Sequence, residues 1–209
     1  MNYLNLTRNI ISEVLLILLG VLIVSVMFSL SESDRGVKVA GIASDSVEIS
    51  VIVSEAISIS SPGDISLSPE IIGSGSATGD VTWNLITNNN SGWKLELEAD
   101  GSPAMTKGVD FFADYTESTA GVPENWSVGN NDSEFGFSVD GSYAKSDYFN
   151  GTRYEGFSGS SKIEVADDSS STPSGGADID VNFRAEVGID KTQPSGLYTA
   201  TITATATTL

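Results

Sequence analysis

Neither cysteine nor histidine occurs among the 209 residues. Their absence excludes disulfides, thiol nucleophiles, imidazole general bases, and thiolate or imidazole metal ligands together. Most hydrolase, transferase and zinc-site chemistries are thereby closed to the chain. Paired carboxylates that hydrolyse glycosides need neither residue. They do need one acid in an apolar pocket that raises its pKa, and no Asp or Glu here is framed by strong apolar runs. The chain is therefore expected not to be an enzyme. Positive charge is also scarce: 10 Lys and Arg stand against 28 Asp and Glu, a formal net charge of −18. That balance repels nucleic acid, which is not an expected partner, and suits a well-solvated extracellular surface.

Long hydrophobic runs are limited to one. Val14 to Leu30 is apolar apart from Gly20, Ser25 and Ser29, and Glu13 sits at its mouth. As a helix rising about 1.5 Å per residue, Ile10 to Leu30 reaches roughly the 30 Å of a bilayer core. Arg8 and the terminal amine precede the run, and Glu32 and Asp34 follow it. The positive-inside bias then places the N-terminus in the cytoplasm and the rest outside the cell. A spent signal peptide has an apolar core of about 7 to 15 residues and a small-residue cleavage site. This run is longer and Ser29-Leu30-Ser31 is a poor site, so a retained helix is favoured. Being apolar all round, it must lie in lipid or against copies of itself. Glu13 at its N-terminus is favoured by the helix dipole, either beside a neighbouring subunit's amine or at the headgroup boundary.

Beyond the run the period changes. Ser31 to Asp45 is small and polar and reads as a linker. Val47, Ile49, Val51 and Val53 alternate with polar residues, Ile52 breaks the pattern once, and Ile57 and Ile59 resume it, as in a half-buried strand. Asp80 to Ala99 reads as a hairpin turning at Asn88–Gly92, with Thr87 opposite Trp93, Leu85 opposite Leu95 and Trp83 opposite Leu97. A second hairpin joins Asp178–Ile189, with Ile179, Val181, Phe183, Ala185, Val187 and Ile189 on its apolar side, to Leu197–Leu209. There Tyr198, Ala200, Ile202, Ala204 and Ala206 back a ladder of threonines. Shorter strands are expected at Ser127–Val128, Phe135–Val139 and Lys162–Ala166, with Asp167–Asp178 an exposed loop. No amphipathic helix follows Leu30. The fold class is all-β: an extracellular β-sandwich, Ig-like or jelly-roll-like, over 46–209, preceded by one hydrophobic helix.

The candidate sites are few. Gly129–Glu134, Asp140–Asp147 and Val165–Ser171 offer oxygen ligands for a structural calcium ion, yet none has EF-hand spacing, so neither metal site nor cofactor is assigned. Trp83 shares a face with Val81 and Leu85 and belongs to the core. Trp126, Tyr143, Tyr148 and Tyr154 lie among Gly, Asn and Asp, where rings can stack on surface carbohydrate. Asn89, Asn125, Asn131 and Asn150 each begin an Asn-X-Ser/Thr sequon in an expected turn, the pattern of a glycoprotein.

Ile11-Ser12-Glu13-Val14-Leu15, close behind Arg8 and leading into the aliphatic run, resembles the start of archaeal type IV pilins. The likeness spans Arg8 to Leu30. It implies that residues 1–10 are a leader cut before Ile11 and that 11–30 is a helix retained for assembly, which the linker 31–45 joins to the β domain. That family favours Gly or Ala before the cut, whereas Ile10 stands here, or Asn9 if the cut falls one residue earlier. The stretch "ATGDVTWNLITNNNSGWKLELEADGSPAM" resembles secreted prokaryotic β proteins of uncharacterised families, which implies export and a β fold and carries no known activity. The expected role is a structural subunit of a cell-surface filament. It is held in the membrane before assembly, associates through the helix, and is exposed and adhesive through its β domain. The alternatives are a membrane-anchored or secreted binding module, and a matrix fibre that donates Ser46–Ile59 to the open sheet edge of the next subunit.

Overall fold

Val81, Trp83 and Leu85 turn to one side of a strand that runs from Gly75 to Thr87, and all three are buried. The alternation read from the sequence is thus realised, on a longer strand than the apolar residues alone mark. The computed structural model describes residues 44–60, 62–159 and 161–209. The leader, the hydrophobic helix and the linker up to residue 43 lie outside them. Two units are distinguished, Met1–Val51 and Ile52–Leu209.

The second unit is all-β. Its strands are β1 (Ile57–Ile59), β2 (Gly75–Thr87), β3 (Trp93–Ala99), β4 (Met105–Lys107), β5 (Asp110–Asp114), β6 (Glu124–Asn125), β7 (Ser133–Asp140), β8 (Arg153–Tyr154), β9 (Ile163–Asp168), β10 (Ala177–Val187) and β11 (Ile202–Thr208). A single 3₁₀ turn, Ser146–Tyr148, is the helical element among the described residues. One sheet runs in the order β1-β2-β10-β7-β5-β4 and another in the order β11-β3-β9, with β6 and β8 as a small ribbon. The expected short strand at Ser127–Val128 does not form; the ribbon strand β6 lies just before it.

Neither expected hairpin exists. β2 pairs with β10, from Leu85 opposite Ala177 to Gly75 opposite Val187. β3 pairs with β11, from Ala99 opposite Ile202 to Trp93 opposite Thr208, and on its other side with β9. Asn88–Gly92 therefore carries the chain from one sheet to the other, and so does the stretch after β10. The reason lies in the apolar faces. Side by side, β2 and β3 would form one apolar sheet surface still in need of cover. In separate sheets, Leu85 and Trp83 share one buried core with Leu95, Leu97, Ile179, Val181, Phe135 and Phe137. Asn89 fixes the crossing. Its Nδ2 donates to the Gly92 carbonyl (3.1 Å) and the Leu209 carbonyl (3.0 Å), and its Oδ1 accepts the Ser91 N–H (3.0 Å). Ile189, assigned to the apolar side, lies past the end of β10 and is exposed.

The strand expected over Ser46–Ile59 forms only at its end, as β1, which pairs with Leu85–Thr87. Residues 44–56 belong to no strand. Val47, Ile49, Val51, Ile52 and Val53 are 77 to 92% exposed. A strand needs a ladder partner, and the pattern here finds none among the described residues. At the start of the ladder the Asn88 side chain substitutes for a strand, accepting the Ala56 N–H (2.7 Å) and donating to the Ser54 carbonyl (3.0 Å).

Candidate functional site

An aromatic cluster forms where β5, β6, β8 and β10 converge. Trp126 follows β6 and stacks on Tyr115, which follows β5, with ring centroids 4.5 Å apart and planes 13° apart. Tyr154 on β8 meets the Trp126 ring edge-on at 5.1 Å. Arg184, on the outer face of β10, places its guanidinium 5.1 Å from the Trp126 centroid and 5.9 Å from that of Tyr154. Glu186, two residues along the same face, accepts from Arg184 Nη2 (2.7 Å) and from the Trp126 indole Nε1 (2.8 Å). Each ring is braced by a neighbour, an arrangement worth roughly 0.5 to 1 kcal/mol per cation–π contact at an exposed site.

Carboxylates surround this cluster. Burial first, then the charges of Asp132, Glu117 and Glu186, push the Glu134 carboxyl up to about 7. Burial and the nearby Glu124, Glu134 and Glu117 also raise the Tyr115 phenol. Glu124 moves the other way, because the Ser118 hydroxyl and N–H donate to it and hold its carboxyl below the usual range. The sign for Glu134 follows from linkage. Its folded pKa exceeds the unfolded value, so its contribution is fully present below about 4.5 and lost as pH rises through about 7. Glu134→Gln is expected to flatten that slope and to raise stability at pH 8 by about 1 kcal/mol, once the shift is discounted for partial exposure. Urea titrations at pH 5 and pH 8 check it; an unchanged pH slope would contradict it.

The four expected stacking residues are not brought together. Trp126 and Tyr154 meet, but Tyr143 packs on Trp93 at 5.4 Å. Tyr148 is 2% exposed and donates its phenol to Glu155 Oε2 at 2.7 Å, which removes it from any surface platform. Burial raises both that phenol and the Glu155 carboxyl. The sequons divide similarly. Asn125, Asn131 and Asn150 are exposed, Asn150 in a left-handed turn at φ 54°. Asn89 is 2% exposed with its amide committed to two carbonyls, so it cannot accept a glycan in the folded chain. Intact-mass and glycopeptide measurements on native protein are expected to find Asn89 unmodified; a glycan there would overturn its placement.

In two of the three loops named for calcium, carboxylates are engaged locally. Asp140 Oδ1 accepts the Gly141 N–H, Asp168 Oδ1 accepts from Ser170, and Asp167 pairs with Lys145 at 3.4 Å. Among the described residues no three carboxylates gather in the manner of a metal site. The leader and assembly residues Arg8, Ile10, Ile11, Ser12 and Glu13 lie outside the described residues.

The last feature is an open edge. Among the described residues β11 pairs with β3 on one side only. Its inward side chains, Ile202, Ala204 and Ala206, pack on the core yet remain partly exposed, whereas Leu95, Leu97 and Ala99 of β3 are wholly buried.

No family model matches the chain. No curated protein matches it either. Among solved structures, the chain is similar to one described as "Chaperone-tip adhesin complex is vital for synergistic activation of CFA/I fimbriae biogenesis". The two are 14% identical with a TM-score of 0.41, and the match covers 73% of this chain and 42% of the other. The chain thus spans less than half the length of that protein, and a likeness this loose carries no functional weight.

Sequence reasoning passed over Tyr115, Arg184 and Glu186. Arg184 and Glu186 were legible as outward residues of β10, but what they face was not. A lone cation among the acids Asp178, Asp180 and Glu186 on that face is the signal that singles out Arg184.

Proposed function

We propose that the chain is a structural subunit of a cell-surface filament that assembles with copies of itself. The observation that carries this reading is the exposure of Val47, Ile49, Val51 and Val53, at 77 to 88%. Four β-branched side chains at alternate positions of one short segment lie uncovered, and exposed apolar residues grouped in this way mark interaction sites, as single ones scattered over a surface do not. Burial on assembly covers them. The two sheets around one core support the reading of a β-sandwich subunit. In the same proposal, Ile11–Leu30 holds the subunit in the membrane before assembly and packs with its copies afterwards, and the β domain faces outward from the cell.

The test is recovery of sheared surface filaments followed by N-terminal sequencing and electron microscopy. Filaments built of this chain, with an N-terminus near Ile11, are the expected result. A protein that stays with membranes and keeps Met1, or a monomer starting near Glu32 or later, would overturn it.

A surface binding module is the second reading, favoured by the Trp126–Tyr154–Arg184 cluster. It predicts saturable binding of a carbohydrate or cell-surface ligand that Trp126→Ala abolishes without loss of fold.

A further inference from the structure

β11 is an edge strand without the usual safeguards. The Thr201 carbonyl accepts the Asp100 N–H, and the Leu209 N–H donates to the Gly92 carbonyl. Odd-numbered residues thus turn their main-chain groups toward β3. By the alternation of an antiparallel ladder, Ile202, Ala204, Ala206 and Thr208 turn theirs outward. Among the described residues, those N–H and C=O groups make no hydrogen bond. Folded proteins guard such edges with charge, proline or a bulge. The sequence of β11, ITATATT, has no charge and no proline, and its pairing with β3 runs without a register shift.

The edge is also under-filled. Ala204 and Ala206 are small, and together with Ile202, Tyr198 and Ala200 they are only partly buried against the core. Ile57 and Ile59 of β1, which approaches β11, are partly buried too, as are Leu67 and Ile71. Ser46–Ser54 is shaped to complete this side, its apolar residues exposed. The segment is about the length of the seven-residue β11. It sets large β-branched residues at alternate positions, where they would fill the space beside the alanines. Its intervening Ser46, Glu48 and Ser50 would lie beside Thr203, Thr205 and Thr207, where β11 offers no like charge.

We infer that the outer edge of β11 is the acceptor for residues 46–54 of a second copy of this chain, which adds as a strand to the β11-β3-β9 sheet. Main-chain bonds supply affinity and the alternate apolar residues supply register. Donor and acceptor are different surfaces, so the contact is head-to-tail and propagates as a filament wherever its rotation does not close a ring. Ile52, which breaks the alternation and is 92% exposed, falls on the outward side or at a bulge. This inference rests on the filament reading and names its joint.

The experiment uses the full chain in detergent with two variants. Ile49→Asp with Val51→Asp disables the donor at positions that are exposed in the subunit, so folding is not at stake. Ala204→Pro disables the acceptor; its N–H points outward, so no internal ladder bond is removed. Wild type is expected to form concentration-dependent polymers and each variant alone to lose them at least about tenfold, a 1.4 kcal/mol change in association. The two variants mixed are expected to stop at one-to-one dimers, since they share one working joint. A polymer from either variant that matches wild type would overturn the inference. So would hydrogen exchange showing the amides of Ile202, Ala204 and Ala206 already protected in the wild-type monomer, which would mean the chain fills its own edge.

If Ala204→Pro does not fold, a peptide of residues 45–56 titrated onto the donor-disabled chain replaces it. The peptide should bind and protect those three amides, and failure to bind overturns the inference. The two readings fail separately. Filaments that admit both variants as readily as wild type leave the filament reading standing and remove the joint. Peptide seated on β11 in a protein that never forms surface filaments does the reverse.

Discussion

Trp93→Ala is expected to destabilise the β domain by about 3 to 5 kcal/mol, and to lower the midpoint of its thermal unfolding by roughly 10 °C. Trp93 is the first residue after the crossing from β2 to β3 and is 0% exposed. Its ring lies 5.4 Å from that of Tyr143, in the core that Leu95 and Leu97 share. Alanine there leaves a void walled by both sheets, and such a wall cannot collapse without breaking ladder bonds. The indole Nε1 has no hydrogen-bond partner among the described residues. Phenylalanine removes that buried donor along with part of the ring, so Trp93→Phe is expected to cost less than about 2 kcal/mol. Chemical denaturation of the two variants measures the difference. A Trp93→Ala loss below about 1 kcal/mol would show that the ring does not hold the sheets together.

The same residues show what was legible in the sequence. Alternation at period two assigns faces, and it assigned them correctly for β2, β3 and β10, where the residues read as apolar are buried. It does not assign neighbours. Asn88–Gly92 has the composition of a tight hairpin turn, and the identical composition serves a chain that crosses between sheets. What decides between them is the need of both apolar faces for cover, a long-range quantity. Asn89 illustrates the consequence: its sequon marks it as a glycan acceptor, while the crossing requires its amide inside. Ser46–Ser54 is the converse case, a strand pattern that joins no ladder among the described residues. The short strands β4, β5, β6 and β8 carry too few residues to show a period. The aromatic cluster draws Tyr115, Trp126, Tyr154 and Arg184 from four distant segments, so only Trp126 and Tyr154 could be nominated, and only by their polar surroundings.

How closely those segments pass each other sets the second large effect, expected at Gly156. A Cβ built there would lie 1.8 Å from the Tyr115 carbonyl oxygen, 2.8 Å from its carbon and 2.9 Å from its nitrogen. All three are backbone atoms, so no rotamer change makes room. Neither strand can retreat easily. The Tyr115 N–H donates to the Phe135 carbonyl at 2.8 Å, and Glu155 exchanges two main-chain bonds with Phe137 at 2.8 and 2.9 Å. Glycine is required here for space alone, since the backbone at Gly156 is not in the left-handed region. Gly156→Ala is therefore expected to cost about 3 kcal/mol, the upper end of overpacking penalties. Because Tyr115 carries the Trp126 stack, the same substitution should change Trp126 fluorescence under native conditions. Gly175, where an added Cβ meets nothing within 4 Å, is the control, and Gly175→Ala should stay within about 0.5 kcal/mol of wild type. Equal stabilities for the two variants would mean that Tyr115 and Gly156 do not pass at this distance.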